Sequence, residues 1–150
     1  MLRRPPNDVV PVSVEFADGA GDQIALKGYR IDGAAAPGGQ LVLTYVWYAA
    51  NQPRNIYSVF NHLLTAEGQP VAQADGWPQG GAVLTSQWRP GEYIRDSHTL
   101  DIPTDAPPGP YILAVGLYDA ASANRMQALV EGQLLPNDQW LLTIGADQEE

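Results

Sequence analysis

Residues 110–119 alternate between two sets of side chains, and this period of two constrains the fold more than any other feature of the sequence. Tyr111, Leu113, Val115 and Leu117 share one parity. Because successive side chains of a β-strand point to opposite faces, the pattern predicts that these four side chains face a core together. A helix would need an apolar period of 3.6, which no stretch of about 12 residues maintains here.

Similar segments recur along the chain and are separated by turn residues. The chain has 15 glycines and 13 prolines in 150 residues, a content typical of all-β proteins with many turns. The other segments that predict strands are residues 9–16, 22–32, 38–50, 55–75 (a hairpin of two strands), 92–102, 125–131 and 138–145. About nine short strands predict an all-β fold, a single antiparallel β-sandwich of the immunoglobulin-like or jelly-roll-like kind.

Four local features refine this prediction. Pro11 lacks an N–H donor, which favours an edge strand. The apolar parity changes at Gly28, which indicates a β-bulge. Residues 38–50 are apolar on both faces, as expected of a central strand. Residues 76–86 show no period and are rich in glycine, so we expect a long surface loop there.

One domain is expected at residues 9–146. Residues 1–8 predict a linker or an artificial start of the chain, because the two arginines are not followed by the apolar stretch of a signal peptide. Residues 147–150 predict an acidic tail. No apolar run approaches the ~18 residues of a membrane span, so we expect no insertion of this segment into a membrane.

Charge and cysteine content exclude several classes of function. The formal net charge of −9 argues against a nucleic-acid partner, which requires a basic surface, and disfavours docking on anionic lipid. The absence of cysteine excludes disulfides, thiolate catalysis and cysteine-ligated zinc. We expect no cofactor and no metal site, since a transition-metal site would need both histidines to converge together with carboxylates, and this alternative is weak.

Asp96, Ser97 and His98 are consecutive and resemble a catalytic set in composition only. On a strand, Asp96 and His98 face one way and Ser97 faces the other, so the three cannot assemble. Asp96 and His98 share the parity of Ile94 and Leu100. We therefore expect a buried polar pair in which the carboxylate accepts a hydrogen bond from the imidazole, and no catalytic residue.

Two further polar features have a structural and a functional interpretation. His62 shares a face with Phe60 and Leu64, and a single histidine on an apolar face is usually structural. Asp18 and Asp22 lie in a glycine-rich stretch and could contribute to a calcium site, but they lack the full spacing of a calcium loop. An ordinary turn is the favoured interpretation, and calcium stays open at this point.

Tryptophans supply the strongest indication of a ligand site. Trp47 and Trp140 lie in predicted strands and are expected in the core. Trp77 and Trp88 flank the predicted loop at residues 76–86, where both rings could project into one groove. The alternative is that all four indoles are core or loop plugs, since indoles bury large areas well.

Charged neighbours complete the predicted site. Asp75 and Arg89 stand next to Trp77 and Trp88 and could bind sugar hydroxyls or a phosphate. Exposed aromatic rings on β-sandwiches stack against the apolar faces of sugars. The predicted ligand-binding set is therefore Trp77, Trp88, Asp75 and Arg89, with a carbohydrate as the ligand.

Several segments resemble one known family. IALKGYRID, YSVFNHLLTAEGQPVAQAD, residues 84–119 and WLLTIG resemble the C-terminal soluble domain of bacterial integral-membrane glycosyltransferases of the dolichyl-phosphate-mannose–protein mannosyltransferase type. The resemblance covers about residues 9–145 and is most specific at residues 88–119. Asn61 departs from it, because an apolar residue is expected there, and residues 126–139 fit only loosely.

The resemblance implies a β-sandwich that follows the transmembrane portion of the parent enzyme, its partner, on the extracytoplasmic face of a bacterial membrane. The family's catalytic acidic residues lie in that membrane portion, so none carries over to this chain. Three functions remain: a non-catalytic accessory domain that binds carbohydrate or lipid-linked sugar, a structural or protein-interaction sandwich without a small ligand, and an independent enzyme. The first is favoured slightly over the second, and both clearly over the third, which would need a cleft with two carboxylates.

Overall fold

The computed structural model describes residues 4–145, which form ten strands in two antiparallel sheets. The strands are β1 (Val10–Ala17), β2 (Gln23–Gly33), β3 (Gln40–Tyr48), β4 (Tyr57–Thr65), β5 (Pro70–Gln73), β6 (Tyr93–Asp101), β7 (Tyr111–Asp119), β8 (Gln127–Val130), β9 (Gln133–Leu134) and β10 (Trp140–Ile144). The predicted all-β sandwich is confirmed. Of the ten, only the two-residue β9 has no counterpart among the predicted strands.

Strand order identifies which kind of sandwich this is. One sheet runs β6-β3-β2-β1-β8-β9 and the other runs β10-β7-β4-β5. If β2, β3, β4, β5, β6, β7 and β10 are lettered A, B, C, C′, E, F and G, the sheets contain the immunoglobulin-like orders E-B-A and G-F-C-C′. Of the two predicted topologies, the connectivity is therefore the immunoglobulin-like one, with β1, β8 and β9 added to one sheet.

A tyrosine fixes the corner before β7. Tyr111 is buried, and its hydroxyl donates a hydrogen bond of 2.6 Å to the carbonyl oxygen of Pro107. This contact has the form of the tyrosine corner of immunoglobulin-like sandwiches, where a tyrosine at the start of strand F bonds to backbone a few residues upstream. The proline-rich turn is thus attached to the core that it precedes.

The core lies between the two sheets, and the period of two decides which residues enter it. The predicted inward residues of β7, at positions 111, 113, 115 and 117, are all fully buried. They belong to one hydrophobic cluster with the inward residues of β3, which are Leu41, Leu43, Tyr45 and Trp47. Trp140 lies at the rim of this cluster, where its ring centroid is 5.3 Å from that of Tyr29.

The predicted bulge in β2 is present. The register of β2 shifts against both β1 and β3 next to Gly28, and Tyr29 then packs against the core on the new parity. A Cβ placed on Gly28 would come 2.5 Å from Cγ2 of Val9. Glycine is therefore required here by the close approach of the preceding segment rather than by its backbone angles.

Pro11 does not mark an edge strand, and that prediction is wrong. β1 lies between β2 and β8. β8 pairs only with residues 15–17 of β1, so the side of β1 away from β2 has no pairing strand around Pro11. The proline is tolerated by this short pairing, which the local sequence did not reveal.

Segments at the two ends lie partly outside the described residues. Residues 1–3 and the predicted acidic tail at residues 147–150 are outside them. Within the segment predicted as a linker, the carboxylate of Asp8 accepts two hydrogen bonds from the guanidinium of Arg95 on β6, at 2.9 and 2.8 Å. Among residues 4–145, no helix has the length and apolar character needed to cross a membrane.

Candidate functional site

A polar cleft opens between β6 and the loop that follows β5. Its volume is about 410 Å³. We call it the Trp77 cleft, and its lining residues are Ala74, Asp75, Gly76, Trp77 and Gly80 from the loop and Ser97, His98 and Thr99 from β6. The loop occupies most of the region predicted to be irregular, and it contains two short 3₁₀ turns at Pro78–Gly81 and Thr85–Gln87.

Backbone pairing with β4 positions the first part of this loop. Gly76 and Val59 exchange two backbone hydrogen bonds, at 2.8 and 3.0 Å. Asn61 is fully buried, and its side-chain amide donates to the carbonyl oxygen of Ala74 at 2.8 Å while its amide oxygen accepts from the hydroxyl of Tyr45. Asn61, the residue that departs from the resembled pattern, therefore connects Ala74, a lining residue of the cleft, to Tyr45 in the core.

Trp77 projects from the loop into solvent. Its exposed fraction is 46%, whereas Trp47 and Trp88 are fully buried. The chain turns under the ring through Gln79 and Gly80, which both have positive φ. A Cβ placed on Gly81 would lie 2.8 Å from Cε3 of Trp77, so the backbone packs against the indole and supports it.

Asp96 connects the two sides of the cleft through hydrogen bonds. It is 1% exposed. Its Oδ1 accepts from the backbone N–H of Gln79 at 2.6 Å, and its Oδ2 accepts from the indole N–H of Trp47 at 3.1 Å and lies 2.7 Å from Nε2 of His98. The predicted buried Asp96–His98 pair is confirmed, and through Gln79 it also fixes the loop on β6.

Tyr45 lies beside this pair in the core. Burial, together with the negative charge of Asp96, raises the pKa of Tyr45 well above its usual range. Its ring centroid is 5.9 Å from that of His98. The raised pKa favours the neutral phenol, which donates a hydrogen bond to the amide oxygen of Asn61.

Ser97 is separated from the pair, as alternation on a strand predicts. Its hydroxyl lies 3.3 Å from that of Thr44, on the face of β6 opposite to Asp96 and His98. No serine nucleophile is thereby presented to His98 by its own strand. Asp96, with three donors around it, is not available as one of the two carboxylates that a glycosidase needs.

Asp75 contributes the accessible carboxylate of the cleft. Its side chain is partly exposed, and Oδ1 accepts from the backbone N–H of Asn61 at 3.3 Å and lies 3.5 Å from Nε2 of His62. His62 also packs against Phe60, with ring centroids 5.0 Å apart. One side of the Asp75 carboxylate is therefore occupied by β4, while the residue also lines the cleft.

The structure brings together only half of the predicted ligand-binding set. Trp88 is 0% exposed, and its indole N–H donates to the carbonyl oxygen of Val83 at 3.3 Å, so the prediction that it offers a stacking surface is wrong. Arg89 is exposed but lines a separate depression with Pro90 and its neighbours. Trp77 and Asp75 share the cleft, and Arg89 is not among its lining residues.

The loop folds inward at Thr85, which explains the burial of Trp88. Thr85 is fully buried, its hydroxyl accepts from the backbone N–H of Tyr57 at 2.9 Å, and it donates to the carbonyl oxygen of Asn55 at 2.7 Å. These contacts attach the second half of the loop to the start of β4. Trp88 follows the 3₁₀ turn at Thr85–Gln87, and its side chain lies in the core.

Asp22 is a structural clamp. Its buried carboxylate accepts from the backbone N–H groups of Arg54 and Asn55 at 3.0 and 3.1 Å and from the hydroxyl of Tyr57 at 2.8 Å. Burial opposes its ionisation, but the hydrogen bonds from Arg54, Tyr57 and Asn55 outweigh it and lower the pKa of Asp22. Burial and this carboxylate also raise the pKa of Tyr57 above its usual range.

Asp18 completes an ordinary turn. Its Oδ1 accepts from the backbone N–H groups of Ala20 and Asp22, at 2.8 and 2.9 Å. N–H donors therefore surround the two carboxylates that were considered for calcium. Within residues 4–145, no three His, Cys, Asp or Glu side chains come together in a way that could hold a metal ion.

Sequence reasoning missed His98 as a cleft residue. The Asp-Ser-His run was visible in the sequence, but its contacts with the loop at residues 74–81 were not.

The fold and cleft define an immunoglobulin-like sandwich with one accessible tryptophan beside a carboxylate and an imidazole. Comparisons with family models, with curated proteins and with solved structures find no match for this chain.

Proposed function

We propose that this domain is a non-catalytic accessory domain that binds carbohydrate through the Trp77 cleft, and that it serves a bacterial membrane glycosyltransferase. The observation that carries the binding proposal is the ring of Trp77, 46% exposed, beside Asp75 and His98 in a single cleft. A solvent-exposed indole supported by Gly81 offers a flat apolar surface, which the apolar face of a sugar ring can cover.

The polar groups of the cleft favour neutral sugars over phosphates. Asp75 accepts hydrogen bonds, as sugar hydroxyls require, whereas its charge repels an anion. Arg89, which had supported the phosphate interpretation, is not a lining residue. In a lipid-linked sugar, the sugar portion would therefore be the part recognised. The volume of about 410 Å³ lies within the range of small-molecule sites.

The link to a membrane glycosyltransferase rests on the sequence resemblance. On this basis we propose that the domain lies on the extracytoplasmic face of the membrane and that its partner is the transmembrane portion of that enzyme. The decisive observation is whether a transmembrane glycosyltransferase is encoded in the same reading frame immediately upstream. A frame that encodes an unrelated protein there would remove this part of the proposal and leave the binding cleft unaffected.

A second candidate is a protein-interaction domain. Leu141 on β10 is 51% exposed. The register of the four-stranded sheet places it on the same outer face as Ile112 and Leu64, since Leu141 pairs with Ala114 and Ile112 pairs with Leu64. An apolar sheet face of this kind is a candidate contact surface for another protein.

Titration of ¹⁵N-labelled protein with mannose and glucose oligosaccharides tests the binding proposal. We expect shifts confined to residues 74–81 and 97–99, with a Kd of about 0.1–1 mM, that is about −5.5 to −4.1 kcal/mol. Trp77→Ala should abolish binding. Tyr93→Ala is the matched control, because Tyr93 packs on Tyr48 (ring centroids 4.8 Å apart) and does not line the cleft. Shifts on other surfaces only, or none, would favour the interaction domain.

A further inference from the structure

We propose that Nδ1 of His98 is the hydrogen-bond acceptor that selects a ligand hydroxyl in the Trp77 cleft. This inference rests on the proposed function and names the chemistry of recognition: a neutral polyol with an O–H donor directed at the imidazole. It depends on three features of His98, which are its tautomer, the direction of its second ring nitrogen and its burial.

Asp96 decides the tautomer. Both of its oxygens accept N–H donors, Oδ1 from Gln79 and Oδ2 from Trp47, which is the hydrogen-bonding pattern of a carboxylate. Nε2 of His98 lies 2.7 Å from Oδ2. Because a carboxylate can only accept, Nε2 carries a proton, and an imidazole with a single N–H then has its lone pair on Nδ1.

Nδ1 of His98 lies next to Gly76, which lines the cleft together with His98, and no residue among 4–145 donates a hydrogen bond to it. A Cβ placed on Gly76 would lie 3.9 Å from Nδ1, and this is the nearest heavy atom that such a Cβ would meet. Within residues 4–145, the hydrogen bond to Asp96 is the only one that His98 makes with its side chain. A ligand hydroxyl that enters the cleft can therefore donate a hydrogen bond to Nδ1.

Burial makes the arrangement specific. The side chain of His98 is 8% exposed and its Nε2 is held by Asp96, so only a small part of the imidazole is open to a ligand. Asp96 and Tyr45 are the titratable groups in contact with it, and Asp75 lines the same cleft. Asp75 and Asp96 are acidic, which disfavours an anionic ligand and leaves a neutral hydroxyl as the matching donor.

Two variants separate the acceptor from the fold. His98→Gln places an amide near the position of Nε2, so it retains a donor to Asp96 and removes the acceptor that faces the cleft. Gly76→Ala leaves His98 intact and adds a methyl group in front of Nδ1. Alanine is compatible with the backbone at Gly76, which is not among the glycines with positive φ, and its Cβ would meet nothing closer than 3.9 Å.

The imidazole nitrogens report the result directly. In protein labelled with ¹⁵N-histidine, long-range ¹H–¹⁵N correlation at neutral pH should show His98 protonated on Nε2 and unprotonated on Nδ1. Addition of mannotriose should move the Nδ1 resonance upfield, as expected when a lone pair accepts a hydrogen bond. Both variants should weaken mannotriose binding about tenfold, the equivalent of one lost hydrogen bond. Tyr93→Ala is again the control and should bind like the parent protein, because Tyr93 does not line the cleft.

Different results overturn this inference and the proposed function. A proton on Nδ1 in the free protein overturns the inference, and so does mannotriose binding at Trp77 that leaves the Nδ1 resonance and the affinities of both variants unchanged. In the second case the carbohydrate site stands. Failure of mannotriose and the other mannose and glucose oligosaccharides to shift any cleft resonance overturns the proposed function, and this inference with it.

Discussion

Replacement of Asp22 by asparagine should destabilise the domain by about 3–4 kcal/mol at pH 7. Asp22 is 3% exposed and accepts hydrogen bonds from two backbone amides and the hydroxyl of Tyr57. The substituted side chain would keep one acceptor oxygen and turn an NH₂ group towards donors. Each hydrogen bond to a buried charged group contributes about 1.5–3 kcal/mol, and an unmatched donor costs about 1–3 kcal/mol.

The destabilisation should depend on pH in a defined direction. The pKa of Asp22 is lower in the folded state than its ordinary value, because the hydrogen bonds outweigh the effect of burial. Its carboxylate therefore stabilises the folded state fully above the unfolded pKa of about 4, and this contribution is lost as the pH falls through the folded pKa. The difference between the parent protein and Asp22→Asn should narrow towards acid.

Urea unfolding followed by tryptophan fluorescence at pH 7 and at about pH 3 measures both effects. A loss of about 3 kcal/mol corresponds to a lowering of Tm by about 6–12 °C for a domain of this size. Asp32→Asn is the matched control, because Asp32 is exposed and, among residues 4–145, is paired only with Arg30 on the surface, where such pairs contribute little. A loss below about 1 kcal/mol at pH 7, or an equal loss at both pH values, would refute the reasoning.

Two further predictions concern the fold. Gly28→Val should cost about 1–3 kcal/mol, because its side chain would collide with Val9 at the bulge; an unchanged urea midpoint would contradict the close approach. Tyr111→Phe should cost about 1 kcal/mol, since only the hydrogen bond to Pro107 is removed while the ring stays buried. A loss of several kcal/mol would contradict the view that Tyr111→Phe removes only this one hydrogen bond.

Local patterns in the sequence determined the strands and their faces. The parity of β7, the phase change at Gly28 and the irregular loop after β5 were all predicted correctly. Each depends on residues close together in the chain, because alternation, bulges and turns are properties of a few consecutive residues. The pairing of Asp96 with His98 belongs to the same class, since the two lie on one face of one strand.

The tertiary structure alone decided which residues share the candidate site. Trp77 and Trp88 looked equivalent in the sequence, yet one is exposed and the other is in the core, because Thr85 hydrogen-bonds to the start of β4 and draws the loop inward. Likewise, His98 of β6 lies next to Gly76 because the loop after β5 packs against β6. Such meetings depend on contacts between segments that are distant in the chain, and no local period encodes them.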